Sequence, residues 1–140
     1  MIKSPKIYFT DVGVAAALLG IETAEQIDRD PLRGHLFENL VVMELLKARM
    51  NRGKAAQLYF YRDSQDHEVD LIFQRGHTLL PIEIKSAMTM HYDYLRSIRY
   101  FQQLAGERVQ QAALIYTGDQ EPLLDSIQVC NYRNASDLVT

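Results

Sequence analysis

Asp70, Glu83 and Lys85 are the residues whose types and spacing suit phosphodiester chemistry. They lie in His67-Glu-Val-Asp-Leu-Ile-Phe-Gln-Arg-Gly-His-Thr-Leu-Leu-Pro-Ile-Glu-Ile-Lys-Ser86. Val69, Leu71 and Phe73 alternate with Asp70, Ile72 and Gln74, and Leu80, Ile82 and Ile84 alternate with Pro81, Glu83 and Lys85. That period of two predicts two half-buried strands. Gly76-His77 between them suits a two-residue type II′ turn, because glycine takes the positive φ at the first central position. Pairing Arg75 with Thr78 then sets Asp70 opposite Glu83, with Cβ atoms ~4.5–5.5 Å apart. A longer loop would slip the register and flip one strand's side chains. Facing carboxylates repel unless a cation sits between them. Their hard oxygens suit Mg²⁺ or Mn²⁺. Lys85, on the same face, would orient an attacking water or stabilise charge on phosphorus. The residues therefore suggest metal-assisted attack on a phosphodiester.

Each candidate has a plainer reading. Asp70 and Glu83 could both face solvent on an exposed sheet. In the same register Lys85 faces Glu68, so a cross-strand ion pair is available to it. Glu38 shares a helical stripe with Val42, Leu45 and Arg49, which points it toward the protein body. From there it would complete a three-carboxylate cluster or pair with Arg49 or another inward cation. Lys47, Arg49, Arg52 and Lys54 form one basic segment, and Arg96 and Arg99 neighbour each other on a second predicted helix. Arg49, Arg52, Lys54, Arg62 and Arg96 are the candidate nucleic-acid contacts. Solvated helix faces and helix C-termini carry the same composition.

These residues need a scaffold. The pattern predicts an extended entry and a small helix over 6–21, capped by Thr10 or Asp11 and stopped at Gly20. A turn of helix around Ala24–Ile27 follows, and Asp30-Pro31 breaks the chain. The main helix is predicted over His35–Met50. Strands are predicted at Gln57–Tyr61, Glu68–Arg75 and Leu79–Ser86. A second helix is predicted over Tyr92–Ala105, then strands at Ala112–Tyr116 and Ser126–Tyr132. From His35 the order is αβββαβ plus one strand.

A chain of 140 residues is one domain's worth. Its composition, 47% hydrophobic and 24% charged, is that of an ordinary globular protein. No apolar run approaches the ~20 residues of a membrane span. The opening Met-Ile-Lys-Ser-Pro-Lys lacks a secretory core, and the single Cys130 excludes an internal disulfide. A cytoplasmic location is expected. A net charge of −3 excludes a basic nucleic-acid coat protein but not a nuclease. The four histidines show no zinc spacing, and no Gly-x-x-x-x-Gly-Lys-Ser/Thr loop is present. No ATPase activity is expected of this chain.

Glu38 on a helix, Asp70 in Val-Asp-Leu-Ile, and Glu83-Ile-Lys85 together resemble the PD-(D/E)XK nuclease superfamily. The resemblance implies an α/β fold with a restriction-endonuclease-like αβββαβ core, a mixed central sheet flanked by helices. It implies one or two Mg²⁺ or Mn²⁺ ions on Asp70 and Glu83, with Glu38 as an added ligand and the Ile84 backbone carbonyl as a further one. Lys85 would assist the water, and DNA would be the substrate. One departure is that Val69, not proline or glycine, precedes Asp70. A second resemblance covers nearly the whole chain. It is carried by Lys6-Ile-Tyr-Phe-Thr-Asp-Val-Gly13, Gly34-His-Leu-Phe-Glu-Asn-Leu-Val-Val-Met-Glu-Leu-Leu46, Leu58-Tyr-Phe-Tyr-Arg-Asp63, Glu68-Val-Asp70 and Pro81-Ile-Glu-Ile-Lys-Ser86. These look like the C-terminal domain, of unknown function, of predicted bacterial and archaeal AAA+ ATPases. That resemblance implies a partner ATPase module preceding this chain, with residues 1–34 as an extension or linker and 35–140 as the nuclease-like domain. It also admits a catalytically silent domain for DNA binding, docking or regulation of the ATPase.

Overall fold

The computed structural model describes residues 4–140. Residues 4–9 form neither helix nor strand, and the chain bends at Thr10 into helix α1 (Val12–Leu18). Asp11 caps α1 by accepting from the Gly13 N–H at 2.7 Å. Thr23 and Gln26 form a capping box on α2 (Ala24–Arg29). Helix α3 (Arg33–Asn51) starts two residues before the predicted boundary and ends one after it. Strands β1 (Leu58–Arg62), β2 (Glu68–Arg75) and β3 (Thr78–Lys85) follow. The predicted second helix divides into a 3₁₀ turn, Tyr92–Leu95, and α4 (Arg96–Ala105). Strands β4 (Ala112–Tyr116), β5 (Leu123–Leu124) and β6 (Ile127–Asn131) come next, then a 3₁₀ segment, Tyr132–Val139. Strand β5 and the last 3₁₀ segment carry no pattern that the sequence reading detected.

The six strands form one mixed sheet in the order β1-β2-β3-β4-β6-β5. Strands β1, β2 and β3 are antiparallel neighbours, while β4 is parallel to both β3 and β6. The fold is thus α/β with a mixed sheet flanked by helices, as expected. The hairpin register also holds: Arg75 pairs with Thr78 and Leu71 with Ile82, and Gly76 takes φ +60°. Pro81 can donate no ladder hydrogen bond. It sits one residue before the β3–β4 ladder begins at Ile82↔Ala113.

The expectation of half-buried strands needs correction. Helix α3 covers one face, packing Val41, Val42 and Leu45 against Leu71, Phe73, Ile82, Ile84 and Ile115. On the other face Leu95 and Ile98 cover Leu114, Tyr116 and Val129, and Phe101 covers Val69 and Ile72. Strand β4 is buried along its whole length, as parallel strands between helical layers usually are. Each fully buried aliphatic side chain contributes roughly 1.5–3 kcal/mol. Those rows are what hold Glu83, a carboxylate that would by itself favour water, at 4% exposure.

The alternation of β2 is also broken. Tyr59 pairs with Ile72 but Tyr61 with Val69, so two residues, Asp70 and Leu71, oppose the single Phe60. This β-bulge puts Val69 on the same face as Ile72 and re-aims the side chain between them. Asp70 lies in that bulge.

The loop after β3 is clamped by Thr117 N–H donating to the Ala87 carbonyl at 3.0 Å. A Cβ at Gly118 would run into the Met88 carbonyl and the Tyr116 ring. Gly118→Ala is therefore expected to lower stability by roughly 1–3 kcal/mol, read as a lower urea midpoint with unchanged slope.

Candidate functional site

The end of the sheet where β2 begins and β3 ends carries the charged residues. Asp70 comes from the bulge of β2. Its Oδ2 accepts the Ile84 N–H at 2.9 Å, which ties it to β3. Among the described residues nothing donates to its second oxygen. Glu83 and Lys85 come from β3, and Lys85 Nζ lies 2.6 Å from Glu83 Oε1. Lys85 therefore pairs with Glu83 on its own strand, not with Glu68 across the hairpin. Glu83 Oε2 is buried and has no hydrogen-bond partner among the described residues. A buried polar atom without a partner is rare enough in a folded protein to need a cause.

Burial, and then the charge of Asp70, push Glu83 up to about 7, against the pull of Lys85. Asp70 is raised in the same way by burial and by the charge of Glu38, against the Ile84 N–H and the two lysines. In both acids burial is the larger cause and the neighbouring carboxylate adds to it. Burial lowers the Lys85 ammonium, but Glu83, Asp70 and Glu38 more than compensate, so it stays protonated.

Glu38 is on the inward stripe of α3, as expected, since Val42, Leu45 and Arg49 on that stripe are all buried. Its partner is not Arg49 but another inward cation, Lys6, which the sequence pattern does not single out. Lys6 Nζ lies 2.9 Å from Glu38 Oε1, and the Tyr8 hydroxyl donates to the same oxygen at 2.8 Å. Lys6 also contacts Glu68 Oε1 at 2.5 Å, while Arg62 holds Glu68 Oε2 at 2.6 Å. The 4–9 segment is fastened to α3 by Asn39, which exchanges two 2.7 Å hydrogen bonds with the Phe9 backbone. Lys6 and Tyr8 are two apart in a run predicted to be extended, so they would share a face. That spacing was the available signal.

Among the described residues, no three His, Cys, Asp or Glu side chains stand together as a metal-holding set. Asp70 and Glu83 are brought together, whereas Glu38 is engaged by Lys6 and Tyr8. Two carboxylates with free oxygens still suit Mg²⁺, which usually takes one or two carboxylates and fills its shell with water and phosphate oxygens. The unpartnered Glu83 Oε2 and the raised acids fit a divalent cation here.

The basic candidates separate. Arg49 is 6% exposed, and its guanidinium donates to the Ala55 and Val139 carbonyls and to Gln57 Oε1. It is a buried clamp and offers no surface to nucleic acid. Arg52 and Lys54 are exposed but lie past the C-terminal end of α3, about 20 Å along the helix from Glu38 for Arg52. Arg96 is exposed and pairs with Asp93 at 3.2 Å. Arg62, half-buried against Glu68, is the one that borders the site. A neighbouring cluster closes the β1–β2 loop: Asp63 accepts from Tyr61, Tyr100 and the His67 ring, and His67 stacks on Tyr100 at 3.8 Å. Those bonds satisfy the loop and explain the cluster structurally.

Residues 33–134 match the family described as "Domain of unknown function (DUF4143)". The chain is 32% identical over 126 residues to "Uncharacterized protein Rv2008c" of Mycobacterium tuberculosis, and equally to "Uncharacterized protein Mb2031c" of Mycobacterium bovis. Each alignment covers 89% of this chain and 27% of the relative. The chain thus spans about a quarter of the length of the curated relatives it matches. No helix among the described residues is long and apolar enough to cross a membrane.

Proposed function

We propose a function for a chain that belongs to the DUF4143 family: divalent-metal-dependent hydrolysis of DNA phosphodiesters at Asp70 and Glu83. The observation that carries this reading is the buried, unpartnered Glu83 Oε2 beside a second carboxylate, Asp70, that is tied to the same strand through the Ile84 N–H. The αβββαβ order from α3 onward and the Asp70, Glu83-Ile84-Lys85 set agree with a PD-(D/E)XK nuclease core. Asp70, Glu83 and the Ile84 carbonyl would hold Mg²⁺ or Mn²⁺, with Glu38 as a further ligand. The ion would supply Lewis-acid activation of the phosphodiester and of a bound water. Lys85 has two N–H groups beyond the one facing Glu83, and these orient the water and steady the developing phosphorane charge. Glu83 fixes that ammonium in place. Arg62 faces the DNA backbone at the site's edge.

The test is a calorimetric titration of Mn²⁺ into the protein, with Asp70→Asn as control. Saturable binding in the parent that the variant loses is the expected result. Lys85→Ala should keep the binding and lower DNA cleavage roughly 100-fold. Heats that are the same in parent and Asp70→Asn would sink the metal reading.

A second reading is favoured by the pairing of Glu38 and Glu68 with Lys6 and Arg62. In it the cluster is a structural network, and the domain binds DNA or docks on and regulates an ATPase without cutting. Under either reading residues 1–34 lead from a preceding AAA+ ATPase module. The greater length of the relatives leaves room for such a module.

A further inference from the structure

We propose that Lys6 is a built-in counter-cation of this site, keeping Glu38 out of the metal shell until the stretch carrying Lys6 and Tyr8 shifts. This inference rests on the metal-site reading and adds a control to it. The geometry is specific. The Lys6 ammonium sits between Glu38 and Glu68 and over the Phe60 ring, 5.6 Å from its centroid. Its side chain is only 15% exposed. Tyr8, two residues on, closes the same Glu38 oxygen.

The charges favour exchange. Four carboxylates, Glu38, Glu68, Asp70 and Glu83, face three cations, Lys6, Arg62 and Lys85. Adding a divalent ion while Lys6 stays would leave an excess of positive charge. Adding it while Lys6 leaves balances the set. Burial opposes charge on Lys6, but the carboxylates outweigh it, so the ammonium is held firmly while they are free. A metal that takes Glu38 removes one of those anchors.

Asn39 holds the segment at Phe9, so the shift need carry only the part with Lys6 and Tyr8. The segment makes no strand pairing, and Ile7 and Phe9 are 86% and 45% exposed. A cavity of about 520 Å³ lies between it, α1 and α3, lined by Lys6, Tyr8, Leu18, Leu36, Glu38 and Glu68. The cavity gives the side chains of the segment room to withdraw without opening the sheet.

The experiment combines Mn²⁺ calorimetry with acetylation of Lys6 read by mass spectrometry. Lys6→Met is expected to bind Mn²⁺ about tenfold more tightly, because a competing cation is gone. Lys6→Arg should behave as the parent. Tyr8→Phe, which removes one of the two donors on Glu38 Oε1 without changing charge, should tighten binding by a smaller factor and guards against a folding defect in Lys6→Met. Mn²⁺ should speed acetylation of Lys6 in the parent and leave it unchanged in Asp70→Asn. If Lys6→Met and Tyr8→Phe bind no tighter and Mn²⁺ leaves Lys6 labelling unchanged, while Asp70→Asn still abolishes binding, the counter-cation idea falls and the metal site stands. If the parent binds no Mn²⁺, both fall.

Discussion

Glu83→Gln is expected to stabilise the metal-free protein by roughly 3 kcal/mol at about pH 8, and by almost nothing near pH 4. The folded acid is raised from 4.5 to about 7, first by burial and then by Asp70. An acid raised on folding contributes stability through its neutral form. That contribution is complete below the unfolded value and is lost as pH climbs through the folded one. Glutamine imitates the neutral form and keeps an oxygen for Lys85. The two proteins should therefore match below about 4.5, diverge up to 7, and differ by a constant amount above it. Asp63 and Glu68 act in the opposite sense. Their acids are held low, Asp63 chiefly by hydrogen bonds that outweigh burial and Glu68 by Lys6 and Arg62, so their stabilisation is lost as pH falls. Both are present in parent and variant, and being outside the substitution they largely cancel in the difference.

The order should reverse with metal. Mn²⁺ at about 1,000 times its dissociation constant adds roughly 4.1 kcal/mol to a protein that binds it and nothing to one that does not. Urea unfolding across pH, in chelator and then in Mn²⁺, reads both halves. A Glu83→Gln protein that is less stable than the parent at pH 8 in chelator would mean that Lys85 and Glu83 form a balanced pair. The case for a cation site would then be lost.

The hairpin was legible because its information is local. Gly76 takes the one conformation that a two-residue turn demands, and the alternation after it sets the register. The stripe of Glu38, Val42, Leu45 and Arg49 was legible for the same reason. The bulge at Asp70 was not, because it is defined by β1: the two-against-one count exists only once Tyr59 and Tyr61 have chosen partners. Nor was the burial of Glu83, since the alternation of β3 looks the same whether its second face meets water or α4. Lys6 and Glu38 are 32 residues apart, and no periodicity links an extended entry to a helix that distant. The Lys6–Tyr8 spacing could have suggested a shared face, but not which acid would meet it.

Arg49→Met is expected to lower stability by about 3 kcal/mol, and Arg49→Lys to recover less than half of that. The sequence placed Arg49 on the inward stripe and also counted it among nucleic-acid contacts; burial decides for the former. Its Nε donates to the Ala55 carbonyl at 3.0 Å, Nη1 to Val139 at 3.1 Å and Nη2 to Gln57 Oε1 at 2.9 Å. The guanidinium also lies over the Phe73 ring at 4.9 Å. One side chain thus joins α3, the loop into β1 and the C-terminal 3₁₀ segment. No carboxylate lies within ion-pair distance among the described residues, so its charge is stabilised by carbonyl dipoles and the ring. Methionine fills much of the volume but leaves three acceptors without donors, and a buried acceptor left alone costs roughly 1–3 kcal/mol. Relief of the buried charge offsets part of that, which keeps the net near 3 rather than at the sum. Lysine keeps the charge but cannot supply the planar fork to three separated acceptors. Gln57 sits at φ +51°, a strained value for a side-chain-bearing residue, and the Arg49 bond helps to hold it there. Since Arg49 lies far along α3 from Glu38, Mn²⁺ affinity in Arg49→Lys should equal the parent's wherever the variant is folded. A drop in affinity without a drop in stability would show that this end of α3 communicates with the carboxylates.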